Sequence, residues 1–175
     1  MQRKITGYHR DEHDDWVAEL DCYHGQHVRH KPPFINRPWV ETEAGRHSQL
    51  GQELNCVRCD NLELPADVTA YKRTPDFTEA TIPAGLLRNH ATKTGTWGKI
   101  HVLDGMLDYT VQEPSIRHFE LQAGDIGIIA PTMLHNVAAQ GSVHFYVEFY
   151  TRDKTNAGNP HTENLVDFSA GTTRT

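Results

Sequence analysis

The sequence predicts a mainly β protein in two parts, a small Cys- and His-rich unit followed by a β-sandwich or barrel. Three observations carry this. From about residue 76, β-type runs recur: TEATIPAG, LLRNH, WGKIHVLDG, MLDYTV, HFELQAGD, IGIIAP, LHNVAA and VHFYVEFY. Gly, Asp and Pro separate them at a spacing of roughly 8–12 residues, the signature of sandwiches and barrels. Ahead of residue 60 lie all three cysteines and six of the twelve histidines. No stretch shows helical periodicity of useful length.

Composition narrows the function classes. The chain has 175 residues, enough for one generous domain or two small ones. Its 37% hydrophobic content is low for a well-buried globule, so part of it is expected to be tail or thin-cored. No apolar run approaches eighteen residues, so no membrane partner is expected. The opening MQRKITGYHRDEHDD has no apolar signal core, which argues for a cytoplasmic protein. A net charge of −6 with both signs interspersed argues against a nucleic-acid partner. An odd cysteine count does not call for a disulfide framework.

Residues 1–65 form the first part. WVAEL and QHVRH read as hairpin strands flanking a tip, DCYHG, in which Gly25 supplies an unusual dihedral. The tip carries Cys22 and His24, and a second tip, NCVRCDN, carries Cys56 and Cys59. Together they make a Cys3His set, the composition of a closed tetrahedral zinc site. A unit of this size has little core, and a metal would supply folding free energy it lacks. The Cys-x-His spacing is tight, leaving open whether His24 reaches the metal through one ring nitrogen or His27 substitutes. Three unconnected thiols and a redox CxxC are the alternatives. The latter normally opens a helix in a βαβ pattern, which is not visible here. QHVRHKPPFINRPWV, with His27, Arg29, His30, Arg37 and Trp39, reads as a surface strand and proline-stiffened loop, or as a basic anion or partner site.

LPADVTAYKRTP, residues 64–75, is a junction into the second part, residues 68–151. WGKIHVLDG reads as an alternating strand ended by an Asp-Gly turn at Asp104 and Gly105, and GDIGIIAP as a turn, a buried strand and a proline stop. In HFYVEFY, His144, Tyr146, Glu148 and Tyr150 share one face, and Val147 and Phe149 belong to the other. Residues 152–175 are polar and read as a C-terminal tail.

Both parts resemble known families. The first, over residues 4–61, is similar to an uncharacterised bacterial family carrying a Cys-x-His tip, a QHVRHxPP stretch and a late CxxC. The resemblance implies a zinc-ribbon-like fold and no activity. The second, over residues 70–151, resembles the small cupins named after tellurite-resistance protein B and the YeaR protein. Its markers are Thr74-Pro75, PAGLL, His90, TKTGTWGK, the VLDG turn and G-D-x5-P-x3-H. This implies a cupin jelly-roll barrel.

The cupin pattern implies four metal ligands, and two are matched. His135 lies eleven positions after Gly124, and His90 fits the second histidine of the first motif. Arg88 stands where the first histidine would be, and Gly98 where the glutamate would be. Glu148 is the replacement expected if its polar face lines the pocket; on the other reading it lies on a solvated outer face. His90, His135 and Glu148 would then hold Fe, Mn or Zn. Arg88, with Lys93 and Tyr146, would bind a small anionic ligand, the alternative for Arg88 being a place at the rim. His101 is expected outside the barrel.

The resemblance therefore implies a metal-binding cupin that handles or senses a small anionic or reactive species in a tellurite-like or nitrosative stress response. The alternatives are a non-enzymatic adaptor with a structural zinc clip, and a non-haem oxygenase. A homodimer is the expected assembly. The chain has no nucleophile elbow, P-loop or dinucleotide fingerprint.

Overall fold

A computed structural model describes residues 1–152. Two antiparallel sheets organise them. In the first, β1 (Gln2–Arg10) pairs with β2 (Trp16–Leu20) on one side and with β4 (Glu53–Asn55) on the other, and β3 (Gly25–His27) adds to β2. Asp11 closes the β1–β2 turn, its carboxylate accepting from the backbone N–H of His13 and Asp15 at 2.9 Å each. Two short helices follow. Thr42 caps α1 (Glu43–Ser48) by accepting from Gly45 N–H at 3.0 Å. Cys56 stands at the N-cap of α2 (Val57–Asp60), so the CxxC does open a helical turn, though outside any βαβ unit. The polar segment expected from 152 onward lies outside the described residues, Arg152 apart.

The second sheet is built on two long strands, β7 (Trp97–Val111) and β10 (His135–Thr151), paired along most of their length. β5 (Thr69–Arg73) and β6 (Phe77–Thr78) pair with β10. β9 (Ile126–Ile129) pairs with the first half of β7 and β8 (Arg117–Gln122) with its second half. The Asp104-Gly105 pair expected to end a strand instead bends one that continues. Gly105 has φ +73°, and a Cβ there would run into the Ser142 carbonyl across the sheet. The pairing with β10 shifts register beside it, so the bend folds the sheet around its own core.

Alternation decides what fills that core. Ile100 and Val102 of β7 and Val143, Phe145 and Val147 of β10 point inward and are buried. Trp97, Lys99 and His101 have the opposite parity and point outward. Yet Trp97 is fully buried, because the first sheet sits on it: its indole Nε1 donates to the Cys22 carbonyl at 3.0 Å. Arg3 of β1, also buried, donates to the Pro131 carbonyl at 2.7 Å and to Thr132 Oγ1 at 2.9 Å. The buried side chains of the two sheets form one continuous cluster. No helix among the described residues is long and apolar enough to cross a membrane.

Candidate metal centre

The β2–β3 tip and the start of α2 bring Cys22, His24, Cys56 and Cys59 together, all four buried. Their ligand atoms lie within 4.8 Å of one another. His24 Nδ1 is 3.3 Å from Cys56 Sγ and 3.6 Å from both Cys22 Sγ and Cys59 Sγ, and Cys22 Sγ is 3.9 Å from Cys56 Sγ. A tetrahedron with Zn–S near 2.3 Å and Zn–N near 2.0–2.1 Å has edges of about 3.8 Å (S to S) and about 3.6 Å (S to N). The residues therefore fit a divalent ion of that size. Among the described residues no other group of three or more such side chains converges.

The thiols are electrically unequal. Cys56 accepts hydrogen bonds from Cys22 and Cys59, which hold its pKa far below the ordinary thiol value. Its bond to Cys56, with burial adding, pushes Cys22 up to about 11. Cys59 is raised as well, by its bonds to Cys22 and Cys56 and by burial. A cation held by all four residues would require the three cysteines to bind as thiolates, so uptake would release protons. His24 supplies Nδ1; His27 stands apart, its Nε2 2.7 Å from an Asp11 carboxylate oxygen.

The tight Cys-x-His spacing has a structural reason. Tyr23, between the two ligands, has φ +71° and turns away from the cluster onto the barrel sheet. Its hydroxyl meets Thr151 Oγ1 at 3.1 Å, and it occupies the space a side chain at Gly95 would need. Gly25, expected to supply the unusual dihedral, does not have a positive φ. It is required for closeness, since a Cβ there would lie 2.8 Å from Val17 Cγ1.

In the barrel, His90 and His135 meet as a backbone bridge, with N–H to carbonyl bonds of 2.9 Å in both directions and ring centroids 4.1 Å apart. Each Nδ1 faces the carbonyl two residues back, that of Arg88 at 2.9 Å and that of Met133 at 2.8 Å. Donation to those carbonyls leaves each Nε2 lone pair available. Burial, with the His90 charge adding, lowers the His135 pKa to about 4. With Ile100, Ile129 and Phe145 the pair lines a cavity of only about 20 Å³, room for a water molecule.

Glu148 is not there. It lies on the outer face of β10, where Tyr150 Oη donates to its carboxylate and His101 Nε2 is 3.5 Å away. The polar face of HFYVEFY is therefore the outside of the barrel, and the three-ligand set of His90, His135 and Glu148 is not assembled. Tyr146 is outside too, stacked on His101 at 4.7 Å with Arg73 above it at 3.7 Å. Burial, helped by the Glu148 bond, pushes Tyr150 up to about 12. Arg88 and Lys93 are exposed and do not line the His90–His135 cavity. A cleft of about 480 Å³ lies instead between the two sheets, lined by Arg3, Lys4, Asp21, Glu53, Thr94 and Thr132 among others. Of the residues that join the sheets, Trp97 lies in the TKTGTWGK stretch with nothing there to mark a docking role, and Tyr23 and Arg3 carry no sequence signal.

Residues 72–147 match the family described as the TehB-like domain, and residues 6–63 match a family described as protein of unknown function (DUF3565). Among similar solved structures is TehB from Haemophilus influenzae, at 27% identity over 50% of this chain and 32% of that one, with a TM-score of 0.47. A protein from E. coli (strain K12) shares 21% identity over 51% of this chain and 96% of its own, also with a TM-score of 0.47. A cupin protein from Bacteroides fragilis shares 24% identity over 53% of this chain and 75% of its own, with a TM-score of 0.34. The chain thus spans about a third of the length of TehB. No curated protein matches it. The chain is mainly β: a curled N-terminal sheet carries a Cys/His cluster able to hold a metal, and a second β-sheet follows, within the stretch that matches the TehB-like domain.

Proposed function

We propose that this chain is a zinc-clipped binding or adaptor module: Cys22, His24, Cys56 and Cys59 hold a structural zinc ion, and the TehB-like barrel presents a surface rather than a metal-dependent active site. The observation that carries this is a group of four ligand-atom separations of 3.3–3.9 Å, close to the edges of a zinc tetrahedron, with all four buried donors within 4.8 Å of one another. The ion would supply fixed geometry and folding free energy, while the chain's own residues exclude water from it and dock it on the barrel. The oxygenase reading lacks its third ligand, and the filled barrel has no room for an organic substrate. The test is elemental analysis of the full chain, followed by cobalt(II) substitution. One metal per chain, with the intense visible bands of tetrahedral cobalt thiolate, is expected, together with their loss in Cys59→Ser. A protein purified from zinc-supplemented medium with no stoichiometric metal would overturn the reading.

A second reading keeps the small anionic ligand and a stress-linked role. The TehB-like match supports the role, and the inter-sheet cleft, with Arg3 and Lys4 in its wall, supports the ligand. A cytoplasmic setting and a homodimer belong to the proposal. Titration of the full chain with phosphate or nitrite, followed calorimetrically, tests the ligand: saturable binding lost in Lys4→Gln supports it, and no heat at millimolar anion counts against it.

A further inference from the structure

The same three residues that carry two metal ligands also carry the contact between the sheets. Cys22 gives its Sγ to the cluster and its carbonyl to Trp97 Nε1 at 3.0 Å. His24 gives Nδ1 to the cluster and sets its ring edge-on to Trp97, centroids 5.3 Å apart. Tyr23 reaches Thr151 through its hydroxyl and Arg152 Nη2 through its carbonyl, at 3.1 Å each, and Arg152 is also paired with Asp67 at 2.5 Å. The tip therefore holds the barrel in the conformation that ligation requires: a left-handed Tyr23 between two inward-turned ligands. Besides these contacts the tip is held by its own turn, Leu20 N–H donating to the His24 carbonyl at 3.0 Å and Tyr23 N–H to the Leu20 carbonyl at 2.8 Å, and by Asp21 N–H donating to the Lys4 carbonyl at 2.9 Å.

We infer that metal occupancy at the Cys3His centre works as a latch, seating the first sheet on the outer face of the barrel around Trp97 and releasing that face when the metal leaves. This rests on the zinc reading and adds a regulated surface to it. In the released state Trp97, Gly95, Tyr150 and Thr151 become a solvent-facing aromatic strip at the end of β7 and β10. The β7–β10 pairing is made within the second sheet and does not depend on the tip. Arg3 and its bonds to Pro131 and Thr132 form a separate tether at the other end of the interface, so release is expected as a hinged opening, not dissociation.

The experiment uses the full chain loaded with zinc, stripped by a chelator and then reloaded, with metal content measured at each stage. Hydrogen exchange is compared at the seam, at the Trp97 indole Nε1–H that the Cys22 carbonyl holds, and, as an internal control, at the backbone amides of the paired residues 107–111 and 135–139. The expected result is loss of one zinc, at least tenfold faster exchange at the seam, unchanged protection at the control residues, and full reversal on reloading. Zinc loss with an unchanged seam would overturn the latch and leave the metal reading intact. Zinc loss with collapse of protection throughout would also overturn it, since the metal would then support the whole fold. Absence of stoichiometric zinc at the outset would overturn both. Tyr23→Phe supplies a milder variant. It keeps all four ligands but removes the bond to Thr151, so it should bind one zinc while exchanging faster at the seam than the parent; equal exchange would count against the latch.

Discussion

The chain holds two clusters of metal-type ligands, and they differ in a telling way. At the β2–β3 tip four buried donors converge on one point from two separate segments. In the barrel two histidines face one another with their tautomers set by backbone carbonyls, but among the described residues no third donor joins them, and the space beside them is about 20 Å³. The first is complete and closed, as structural sites are; the second has well-oriented donors and too few of them. A histidine in a cupin-like position is thus weak evidence for a metal unless the remaining ligands are on the same face of the sheet.

The largest effect expected is at the first cluster. Cys59→Ser should abolish stoichiometric metal and lower the unfolding midpoint of the full chain by more than any other change considered, since zinc in small structural sites can supply about 10–16 kcal/mol of folding free energy. Full metal content in that variant would erase the distinction between the clusters. Trp97→Ala should cost about 3–5 kcal/mol, the range for a buried tryptophan, while metal content stays at one equivalent. Denaturant unfolding with parallel metal assay checks it, and a cost under about 1 kcal/mol would mean the seam is not packed as described.

The barrel pair is tested by acid. His135 is buried and neutral, with its pKa lowered from 6.5 to about 4. Between those values the unfolded chain binds the proton and the folded chain does not. Stability is therefore unaffected above about pH 6.5 and falls by about 3 kcal/mol as the pH drops to about 4. His135→Asn, compared with the parent at equal metal loading, should remove that part of the slope; parallel slopes would contradict the burial of a neutral imidazole. Smallest of all, Glu148→Gln breaks only a partly exposed outer pair with His101 and should cost less than about 1 kcal/mol. Neither it nor His90→Ala should change the metal content, and a drop in either would restore a barrel metal.

Much of the first cluster was legible in the sequence because its chemistry is local: a Cys-x-His tip, a CxxC and a thin-cored unit point to one composition. The barrel strands were legible too, through alternation and turn residues. Their continuity was not. Asp104-Gly105 is a turn signal and also what a strand needs to bend sharply, and only the register of β10 beside it distinguishes the two. Glu148 was misplaced for a different reason. The alternation of HFYVEFY was read correctly, but its polar face was assigned to the pocket on functional grounds, whereas Phe145 and Val147 fill the interior. Trp97 shows the limit of pattern reading. Its parity is outward, and only a second unit docked on the sheet makes it a core residue.

The length of β7 has a mechanical consequence. One backbone runs from Trp97, under the metal-bearing tip, to Val111, which pairs with His135. Fifteen residues at about 3.3 Å each make a contour of roughly 50 Å with a single bend at Gly105. The strand that docks the tip at one end therefore carries the pairing partner of His135 at the other, and its pairing with β10 is interrupted only by the register shifts beside Gly105.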